Sequence, residues 1–530
     1  MTILFKVLVA DAIKPDGLTP FIGREDIEVV QKTVENAKNE LHEFDALLVR
    51  SATKVTEALL NDMTSLKIIA RAGVGVDNID VPSCTKRGVI VVNAPDGNTI
   101  STAEHTFAMI ASLARNIPQA HQTVKNSSWE RNRFAGTELK GKTLGIVGMG
   151  RIGSELTKRA RAFQMDVFAF DPFLTTERAK ELHVTTGSFE ELLTVSDFIT
   201  VHTPLTKDTK GLLNRETIQK CKDGVYLINC ARGGIIDEEA LYDAVESGKV
   251  AGAALDVFVE EPPVGNRLLN LDQIIVTPHL GASTKEAQLN VAKQVAKEVV
   301  SFVDGIPVSN SINLPAIPAE LFSRIQPYYQ LVRTLGSFLS QFINEGIKEI
   351  SITYGGDSFD YDTSILTKAL VSGFFKGRVD VNVNEVNALL YAKERSITVG
   401  EKISNEAHGY SSSVTVKVVG ETKKMEVKAT YIKEYGPRIF AINDFKIDFY
   451  PEGHILYIQH HDRPGVIGVV GKKLGDLNLN IATMQVGRKE AGGEAIMVLT
   501  FDDPLPSDIP NELLSTLEIS EATLIELPLC

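Results

Sequence analysis

The sequence predicts an α/β protein that begins with two doubly wound parallel sheets and ends with two smaller α+β units. Two observations support this. Before Gly305, short apolar runs alternate with amphipathic stretches, which is typical of parallel strands joined by helices. After Gly453, the order is strand, helix, strand, strand, helix, strand, which indicates helices packed on a small antiparallel sheet.

Length and composition limit the classes of function. A chain of 530 residues is too long for one core, so we expect several domains. A formal net charge of -13 argues against nucleic acid or an anionic membrane as the main partner. The four cysteines show no metal-like spacing, so we predict no metal site and a reduced, cytoplasmic setting. They are Cys84, Cys221, Cys230 and Cys530.

The first unit contains four apolar runs that we predict to be buried parallel strands. The first run also begins the chain, and we interpret it as a strand and not as a signal peptide because no basic leader precedes it. A helix is expected over 101–114, with Ser101 and Glu104 as a capping box. The runs are FKVLVA, FDALLVR, KIIARAG and VIVVNAP.

The second unit begins at Leu144 and contains six further apolar runs, each ending in Gly, Pro, Asp or His. Ligands collect at the carboxyl ends of strands in open parallel sheets, so these endings are where chemistry is expected. Ser283 and Glu286 have the spacing of another capping box, before a helix that extends to near Gly305. The runs lie in IVGMGRIG, VFAFDP, FITVHTP, VYLINCARGG, VAGAALDV and QIIVTPHLG.

The remainder of the chain carries no visible catalytic motif. The stretch GIPVSNSINLPAIPAE, from Gly305, is predicted to be a linker because it is rich in Pro, Ser and Asn. The block that follows, about 314–452, is expected to hold one amphipathic helix and then hairpins such as SVTVKVVGETKKMEVKATYI.

A dinucleotide fingerprint opens the second unit. Gly148, Gly150 and Gly153 form G-x-G-x-x-G directly after an apolar strand, and Asp171 closes the next strand 18 residues past Gly153. The glycines allow a tight turn, a close approach of backbone to pyrophosphate, and close helix–strand packing. Asp171 would bind ribose hydroxyls and repel a 2′-phosphate, which favours NAD over NADP. The alternative is a glycine turn that only packs a helix.

Three residues at strand ends have the chemistry that oxidation of a 2-hydroxy acid requires. His279 can accept the hydroxyl proton, Glu261 can orient the imidazole and stabilise its charged form, and Arg232 can bind a carboxylate with two hydrogen bonds. Taken singly, each could be structural or solvated, and Glu260 is a rival for Glu261. Their combination after a nucleotide fingerprint favours the catalytic interpretation.

These strings resemble the D-2-hydroxyacid dehydrogenase family in order and spacing. The match is carried by GMGRIG, the DP at Asp171, HTPLT, NCARGGIID, ALDVFVEEPP and TPHLGAST. The earlier strings LLVRSATKV, RAGVGVDNID and NAPDGNTISTAEH resemble the phosphoglycerate dehydrogenase branch of that family. The resemblance covers essentially the whole chain.

The resemblance implies a set of site residues. Arg232, Glu261 and His279 would be catalytic. Residues that would touch NAD, beyond the three glycines, are Val74, Arg151, Ile152, Asp171, Thr203, Cys230, Ala231, Arg232, Asp256, His279, Gly281 and Ala282. The substrate would be bound by Arg50, Val74, Gly75, Asn98 and, from a neighbouring subunit, Arg131. For Arg131 a plain solvated face is an equal alternative.

The resemblance also implies the domain organisation. The Rossmann-like NAD-binding domain, 99–283, would be inserted in a Rossmann-like substrate-binding domain formed by 1–98 and 284–313. An intervening domain, 314–452, and an ACT regulatory domain, 453–530, would follow. The cleft between the first two domains would close to exclude water during hydride transfer.

In the ACT pattern, HHDRPGV and LNIA build an amino-acid pocket where two such domains pair. His460, Asp462 and Asn480 are the implied effector-binding residues. L-serine would be the expected effector, although Asp462 stands where serine-binding relatives have Asn, which replaces a neutral amide with an anion. A plain oligomerisation module is the alternative.

The function implied is NAD-dependent oxidation of D-3-phosphoglycerate to 3-phosphohydroxypyruvate, the first step of L-serine biosynthesis, by a homodimer or homotetramer. Two alternatives remain at this point. One is a relative with another substrate, such as a hydroxypyruvate or glyoxylate reductase. The other is a non-catalytic, NAD-sensing binding protein on the same fold.

Overall fold

In a computed structural model, the structure describes residues 4–315, 317, 319–379, 381–515 and 518–528. Cys530 lies outside these residues. The described chain forms four sheets of five, seven, six and four strands. Among the described residues, no helix combines the length and the apolar composition needed to cross a bilayer.

The first sheet is parallel and has the strand order β2-β1-β3-β4-β5. The four predicted runs form β1, β3, β4 and β5, whereas β2 was not predicted. The strands are β1 Phe5–Val9, β2 Ile27–Gln31, β3 Ala46–Val49, β4 Ile68–Arg71 and β5 Ile90–Asn93. The helices from here to the second sheet are α1 Glu57–Asp62, α2 Val81–Lys86, α3 Thr99–Ala114 and α4 Ile117–Lys125.

The second sheet is parallel with the order β12-β11-β10-β9-β6-β7-β8, so the strand order reverses beside β6. Ligand sites of doubly wound sheets lie at this kind of switch point. The strands are β6 Thr143–Val147, β7 Asp166–Phe170, β8 Thr185–Thr186, β9 Phe198–Val201, β10 Val225–Asn229, β11 Val250–Leu255 and β12 Ile274–Val276. The helices between them are α5 Arg151–Ala162, α6 Thr176–Leu182, α7 Phe189–Val195, α8 Arg215–Lys220 and α9 Glu238–Glu246.

Helix α10, Lys285–Val303, carries the chain back to the first sheet. Its apolar face, including Val291, Val295 and Val299, shares one buried core with Val7 and Ile68 of the first sheet. The packing follows from apolar residues spaced four apart, which fall on one side of a helix. The first and second sheets are therefore joined twice, through α3 and through α10.

Both predicted capping boxes were wrong. Helix α3 begins two residues earlier than expected, after Asn98, and the hydroxyl of Ser101 donates to the carbonyl of Asn98. Helix α10 is capped by Thr284, whose side chain accepts the N–H of Ala287. In both regions several Ser and Thr residues are adjacent, so the spacing rule alone selects the wrong one.

The linker after Gly305 is held to the first sheet. Ser311 bridges Val92, the N–H of Asn93 donates to the carbonyl of Asn310 at 3.1 Å, and the amide of Asn313 accepts from the N–H of Val91 at 3.0 Å. The polar residues that indicated a flexible linker instead satisfy the backbone of the edge strand β5, which would otherwise lack partners.

The third sheet is mixed, with the order β14-β13-β15-β16-β17-β18. The predicted hairpin is confirmed, because β15 and β16 pair antiparallel. The expectation of one helix was wrong, because three are present. The elements are α11 Ala319–Phe342, β13 Ile347–Gly356, α12 Ser364–Phe375, α13 Ala388–Glu394, β14 Thr398–Ser404, β15 Ser412–Gly420, β16 Lys424–Ile432, β17 Gly436–Ile442 and β18 Phe445–Phe449.

The fourth sheet is antiparallel, with the order β20-β21-β19-β22. Its elements follow the predicted βαββαβ order, so that prediction is confirmed. They are β19 Gly453–His461, α14 Val466–Asp476, β20 Ile481–Arg488, β21 Glu494–Phe501, α15 Ile509–Leu514 and β22 Ile519–Leu527. The remaining short helices, of the 3-10 type, are Pro15–Phe21, Leu41–Glu43, Arg131–Phe134 and Arg267–Asn270.

Candidate active site

The glycine turn after β6 has the geometry that the fingerprint predicts. Gly148 has φ +96°, and a Cβ there would lie 2.6 Å from the carbonyl oxygen of His202. A Cβ on Gly153 would overlap the carbonyl of Gly148, so helix α5 could not pack as closely. Gly150 caps α5, and a Cβ there would point into open space. The start of α5 is therefore open to a ligand, with free N–H groups facing it.

The side chains around this turn fit a dinucleotide. Asp171 is fixed at the end of β7, where its two carboxylate oxygens accept the N–H groups of Met149 at 2.7 Å and Phe173 at 2.8 Å. The hydroxyl of Thr203 is buried without a hydrogen-bond partner, which is costly unless a ligand supplies one. Nε of Arg151 forms an ion pair with the carboxylate of Asp96 at 2.6 Å, and Ile152 is the next residue of α5.

His279 and Glu261 form a pair. Nδ1 of His279 lies 2.8 Å from a carboxylate oxygen of Glu261, and the other oxygen of Glu261 accepts the N–H of Phe258 at 3.1 Å. The pairing leaves Nε2 of His279 for a substrate. Glu260 is exposed and makes no hydrogen bond in the described chain. Of the two candidate acids, Glu261 is the one that contacts the imidazole.

Asp256 holds the turn that presents His279. Its carboxylate is 1% exposed and accepts the N–H groups of Leu280 at 2.7 Å and Gly281 at 2.9 Å. It also accepts the hydroxyl of Thr277 at 2.6 Å. These hydrogen bonds stabilise the left-handed backbone of His279, φ +53°, which a non-glycine residue seldom adopts. Ala282 ends this HLGA turn.

Arg232 lies across the cleft from its own sheet. Its Nε donates to Asp77 at 3.0 Å, in the loop that follows β4 of the first sheet. Its guanidinium occupies the space over Gly75, because a Cβ on Gly75 would overlap Nη2 of Arg232. The predicted catalytic residue Arg232 and the predicted substrate residue Gly75 are therefore brought together, and Asp77 forms an ion pair with the guanidinium.

Arg71 was missed by sequence reasoning. It ends β4, so the strand-end rule used for Arg232 could have found it. Its Nε is buried and has no hydrogen-bond partner in the described chain. Burial, followed by the positive charge of Arg232, lowers the pKa of Arg71 to about 10. It remains protonated at neutral pH and adds an unpaired cation beside Arg232.

Arg50 lies at the end of β3, one strand further along the first sheet. Its guanidinium approaches the carbonyl of Ala12 at 3.4 Å, a weak contact that leaves most of its donors unused. It lines a cavity of about 620 Å³ between the loop from Ala12 to Gly17 and the start of α10. Arg50, Arg71 and Arg232 thus extend from three strand ends toward the cleft.

The other predicted contacts surround this cleft. The carbonyl of Val74 accepts the side chain of Asn93 at 2.6 Å, and Ala231 accepts Nη1 of Arg232 at 2.7 Å. The carbonyl-type oxygen of the Asn98 side chain is buried without a partner. Burial raises the pKa of the Cys230 thiol to about 12, so this cysteine is protonated and unreactive at neutral pH.

Arg131 is not brought to the cleft of its own chain by any described contact. It begins a short exposed helix, and within the described chain it makes no ion pair or hydrogen bond. The adjacent Trp129 is 82% exposed, and Arg133 pairs with Glu130 and Asp272. A role for Arg131 therefore requires a second subunit.

The three predicted effector residues are not brought together within one chain. Asp462 accepts from Arg488 at 2.8 Å, and this guanidinium lowers the pKa of Asp462. Asn480 precedes β20 and lies 3.3 Å from Asp502. In the strand register, Arg488 is level with His460 and Ile481 is level with His454, so Asn480 lies toward the opposite end of the sheet. His460 is buried and its Nε2 has no partner.

Comparison with protein families matches most of the chain after α3. Residues 107–281 match the model of the D-isomer specific 2-hydroxyacid dehydrogenase NAD-binding domain. Residues 324–443 match the D-3-phosphoglycerate dehydrogenase intervening domain, and 454–516 match the ACT domain.

Full-length relatives and solved structures agree with these matches. The chain is 61% identical over 525 residues to D-3-phosphoglycerate dehydrogenase of Bacillus subtilis, covering 99% of this chain and 100% of the relative. It is 43% identical to the enzyme of that name from Archaeoglobus fulgidus, covering 98% and 100%. The structure of D-lactate dehydrogenase from Aquifex aeolicus, complexed with NAD and lactic acid, is 34% identical with a TM-score of 0.53, covering 58% of this chain and 100% of that chain.

Proposed function

The chain belongs to the family of D-3-phosphoglycerate dehydrogenases, which are NAD-dependent D-2-hydroxyacid dehydrogenases, and we propose that it oxidises D-3-phosphoglycerate to 3-phosphohydroxypyruvate. This reaction is the first step of L-serine biosynthesis. The observation that carries the substrate proposal is the row of guanidinium groups at positions 50, 71 and 232, because the substrate has a phosphate and a carboxylate.

The proposed mechanism assigns one task to each residue. Nε2 of His279 accepts the proton of the C2 hydroxyl, while Nδ1 stays hydrogen-bonded to Glu261, whose charge stabilises the imidazolium that forms. Arg232 exchanges Asp77 for the substrate carboxylate and orients C2. The glycine turn after β6 and Asp171 would hold NAD, which would supply the hydride acceptor for the oxidation at C2.

We assign the phosphate to Arg50 and Arg71. Arg71 is partly buried, and its Nε has no hydrogen-bond partner among the described residues, while Arg50 has unused donors beside a cavity. We propose that the backbone near Val74 and Gly75, together with the side-chain amide of Asn98, completes this wall of the site. Arg131 of a second subunit is proposed to reach the same anion.

The function is tested by following NADH absorbance with D-3-phosphoglycerate, D-glycerate, D-lactate and glycolate. We expect kcat/KM to be at least about 100-fold higher for the phosphorylated acid, since unpaired buried cations penalise the others. Arg50→Ala should raise KM for D-3-phosphoglycerate far more than for D-glycerate. Equal losses on both substrates would contradict the phosphate assignment. Absence of NADH with every acid, despite NAD binding, would indicate a binding protein.

The base is tested separately. His279→Ala should lower kcat by at least about 100-fold, the scale of a lost general base, with NAD binding little changed. Near-normal turnover would overturn the assignment.

We also propose four domains with the boundaries 1–98 with 284–313, 99–283, 314–452 and 453–530. The packing of α10 on the first sheet supports the return of the chain to the first domain. A homodimer or homotetramer in the cytoplasm is proposed, with L-serine as the effector. Support for an effector site between two ACT domains comes from Asn480, which lies away from Asp462 in its own chain. A lower kcat on adding L-serine, absent in Asn480→Ala, is the expected result.

A further inference from the structure

A second cavity lies outside the cleft that holds the proposed catalytic residues. It measures about 420 Å³ and lies where the first sheet meets the helices of the third sheet. The end of α10 and the linker form one side, and α11 with the start of α12 forms the other. A volume of this size accommodates a small organic molecule.

Much of the lining of this joint cavity is apolar. Apolar side chains come from both sides of the joint, among them Phe302, Ile306, Leu314 and Ile365. Ile306 is 46% exposed, so the cavity has a mouth toward solvent. Apolar walls with a small number of polar groups are the usual composition of a small-molecule site.

Five polar side chains line the joint cavity, and the two charged ones carry opposite signs; the five are Gln326, Tyr329, Gln330, Arg333 and Glu385. Within the described chain, Arg333 makes no ion pair or hydrogen bond, although it lines the cavity. Oε1 of Glu385 is buried and has no hydrogen-bond partner among the residues that the structure describes. A buried, unpaired carboxylate oxygen is destabilising, so a ligand that donates to it would be favoured.

Tyr329 connects the two charges. Burial, followed by the negative charge of Glu385, raises the pKa of Tyr329, while the charge of Arg333 acts in the opposite direction. Both charges are therefore close to one hydroxyl group. Because they have opposite signs and line one cavity, they can bind the two ends of a ligand that itself carries both signs.

We propose that this joint cavity binds a zwitterionic α-amino acid with an apolar side chain. Arg333 binds the carboxylate, Glu385 with the hydroxyl of Tyr329 binds the ammonium group, and the side chain lies against Ile306, Leu314 and Ile365. A simple carboxylate would leave Oε1 of Glu385 without a donor, and a simple amine would lack the charge-assisted hydrogen bond that Arg333 can donate to a carboxylate. This site is separate from the NAD cleft and from the proposed effector residues His460, Asp462 and Asn480.

The proposal is tested by isothermal titration calorimetry of the full-length protein with L-valine, L-leucine, L-methionine and L-phenylalanine. At least one of them should bind. For L-leucine, the analogues 4-methylpentanoate and 3-methylbutylamine each lack one charge and should bind at least about tenfold more weakly. Binding by none of the four amino acids would overturn the proposal, as would equal binding of either analogue.

Variants locate the site. Arg333→Met and Glu385→Gln should each weaken amino-acid binding at least about tenfold. Ile306→Trp, which narrows the mouth and leaves both charges in place, should also abolish binding. Arg324→Met is the matched control on α11, since Arg324 pairs with Asp360 outside the cavity. Asp462→Ala is the control for the C-terminal module. Loss of binding in either control, or full binding in Ile306→Trp, would place the ligand elsewhere.

Discussion

The position of the Arg232 guanidinium depends on two residues in the loop that follows β4 of the other sheet. Gly75 leaves the space that Nη2 of Arg232 occupies, and Asp77 supplies the hydrogen bond that holds it there. The contact involves the end of a flexible side chain, so a methyl group at position 75 would move the arginine and leave the fold intact.

Gly75→Ala should therefore reduce kcat/KM at least about tenfold without lowering the melting temperature, because one charge-assisted hydrogen bond to the substrate is lost. Steady-state kinetics and thermal unfolding measure the two effects. Gly468→Ala is the matched control, since a Cβ at this position in α14 meets nothing within 4 Å. A stability loss equal to that of a core substitution would contradict the explanation.

The two neighbouring acids at 260 and 261 provide a second prediction. Glu261→Gln should lower kcat at least about tenfold, because the imidazolium of His279 loses its counter-charge. Glu260→Gln should leave kcat unchanged, since this side chain is exposed and unpaired in the described chain. Similar losses of kcat in both variants would indicate that the total negative charge at positions 260 and 261 matters, and not the hydrogen bond between Glu261 and His279.

At the residue scale, the sequence predicted the pairing of His279 with Glu261 because both follow strands of one parallel sheet. Arg71 was missed because it was interpreted only as part of the strand KIIARAG, and nothing in the letters indicates that its Nε has no partner among the described residues. Asp77 was missed because its partner lies 155 positions away.

Among the elements, the hairpin of β15 and β16 is held by a side chain from outside it. Glu345, after α11, accepts the hydroxyl of Thr422 at 2.6 Å and the N–H groups of Thr422 and Lys423 at 2.8 and 2.7 Å. The Thr422 hydroxyl first, then these N–H groups, lower the pKa of Glu345 to about 2. All three bonds favour the ionised carboxylate.

The resulting stability has a defined pH dependence. A carboxylate whose pKa is lowered on folding stabilises above its unfolded pKa, and this contribution is lost as pH falls through the folded value. Glu345→Gln should thus lower the urea midpoint at pH 7, and the difference from the parent protein should narrow below the ordinary pKa of 4.5 toward about 2. Glu349→Gln, on the exposed face of β13, should show no difference at any pH. If the difference in urea midpoint between Glu345→Gln and the parent protein stayed constant with pH, the stabilising role of the Glu345 charge would be contradicted.

Helices with one polar and one apolar face were predicted from the sequence, whereas a helix that is buried on all faces was missed. Helix α10 was expected because apolar and polar residues alternate with helical spacing along it. Helix α12 buries residues on every side, including Leu366, Val371 and Ser372, so no amphipathic pattern marks it. Its surroundings in the third sheet, which the sequence does not display, determine that it is a helix.

The whole molecule combines a net charge of -13 with a local group of cations. Arg50, Arg71 and Arg232 gather at the ends of strands from both parallel sheets, where an anionic substrate would meet a field opposite in sign to that of the surface elsewhere.

Salt should therefore weaken substrate capture more than turnover. Raising potassium chloride from about 0.02 M to about 0.5 M should lower kcat/KM for D-3-phosphoglycerate by roughly threefold or more, with a smaller effect on kcat, because the screening length becomes shorter than the cleft. Arg50→Ala should flatten this dependence. An identical salt response in the variant would show that Arg50 takes no part in attracting the substrate.

Asn93 ties the linker to the substrate wall. It is 8% exposed, its N–H donates to the carbonyl of Asn310 at 3.1 Å, and its side chain donates to the carbonyl of Val74 at 2.6 Å. A shortened enzyme that ended before residue 310 would keep each proposed catalytic side chain. It would lose the backbone hydrogen bond that fixes Asn93, and with it part of the support for Val74 in the substrate pocket. The smallest fragment that folds and catalyses on its own therefore has to extend beyond α10 to at least residue 310. Proteolysis between α10 and residue 310 would lower catalytic activity as well as separate the regulatory domains.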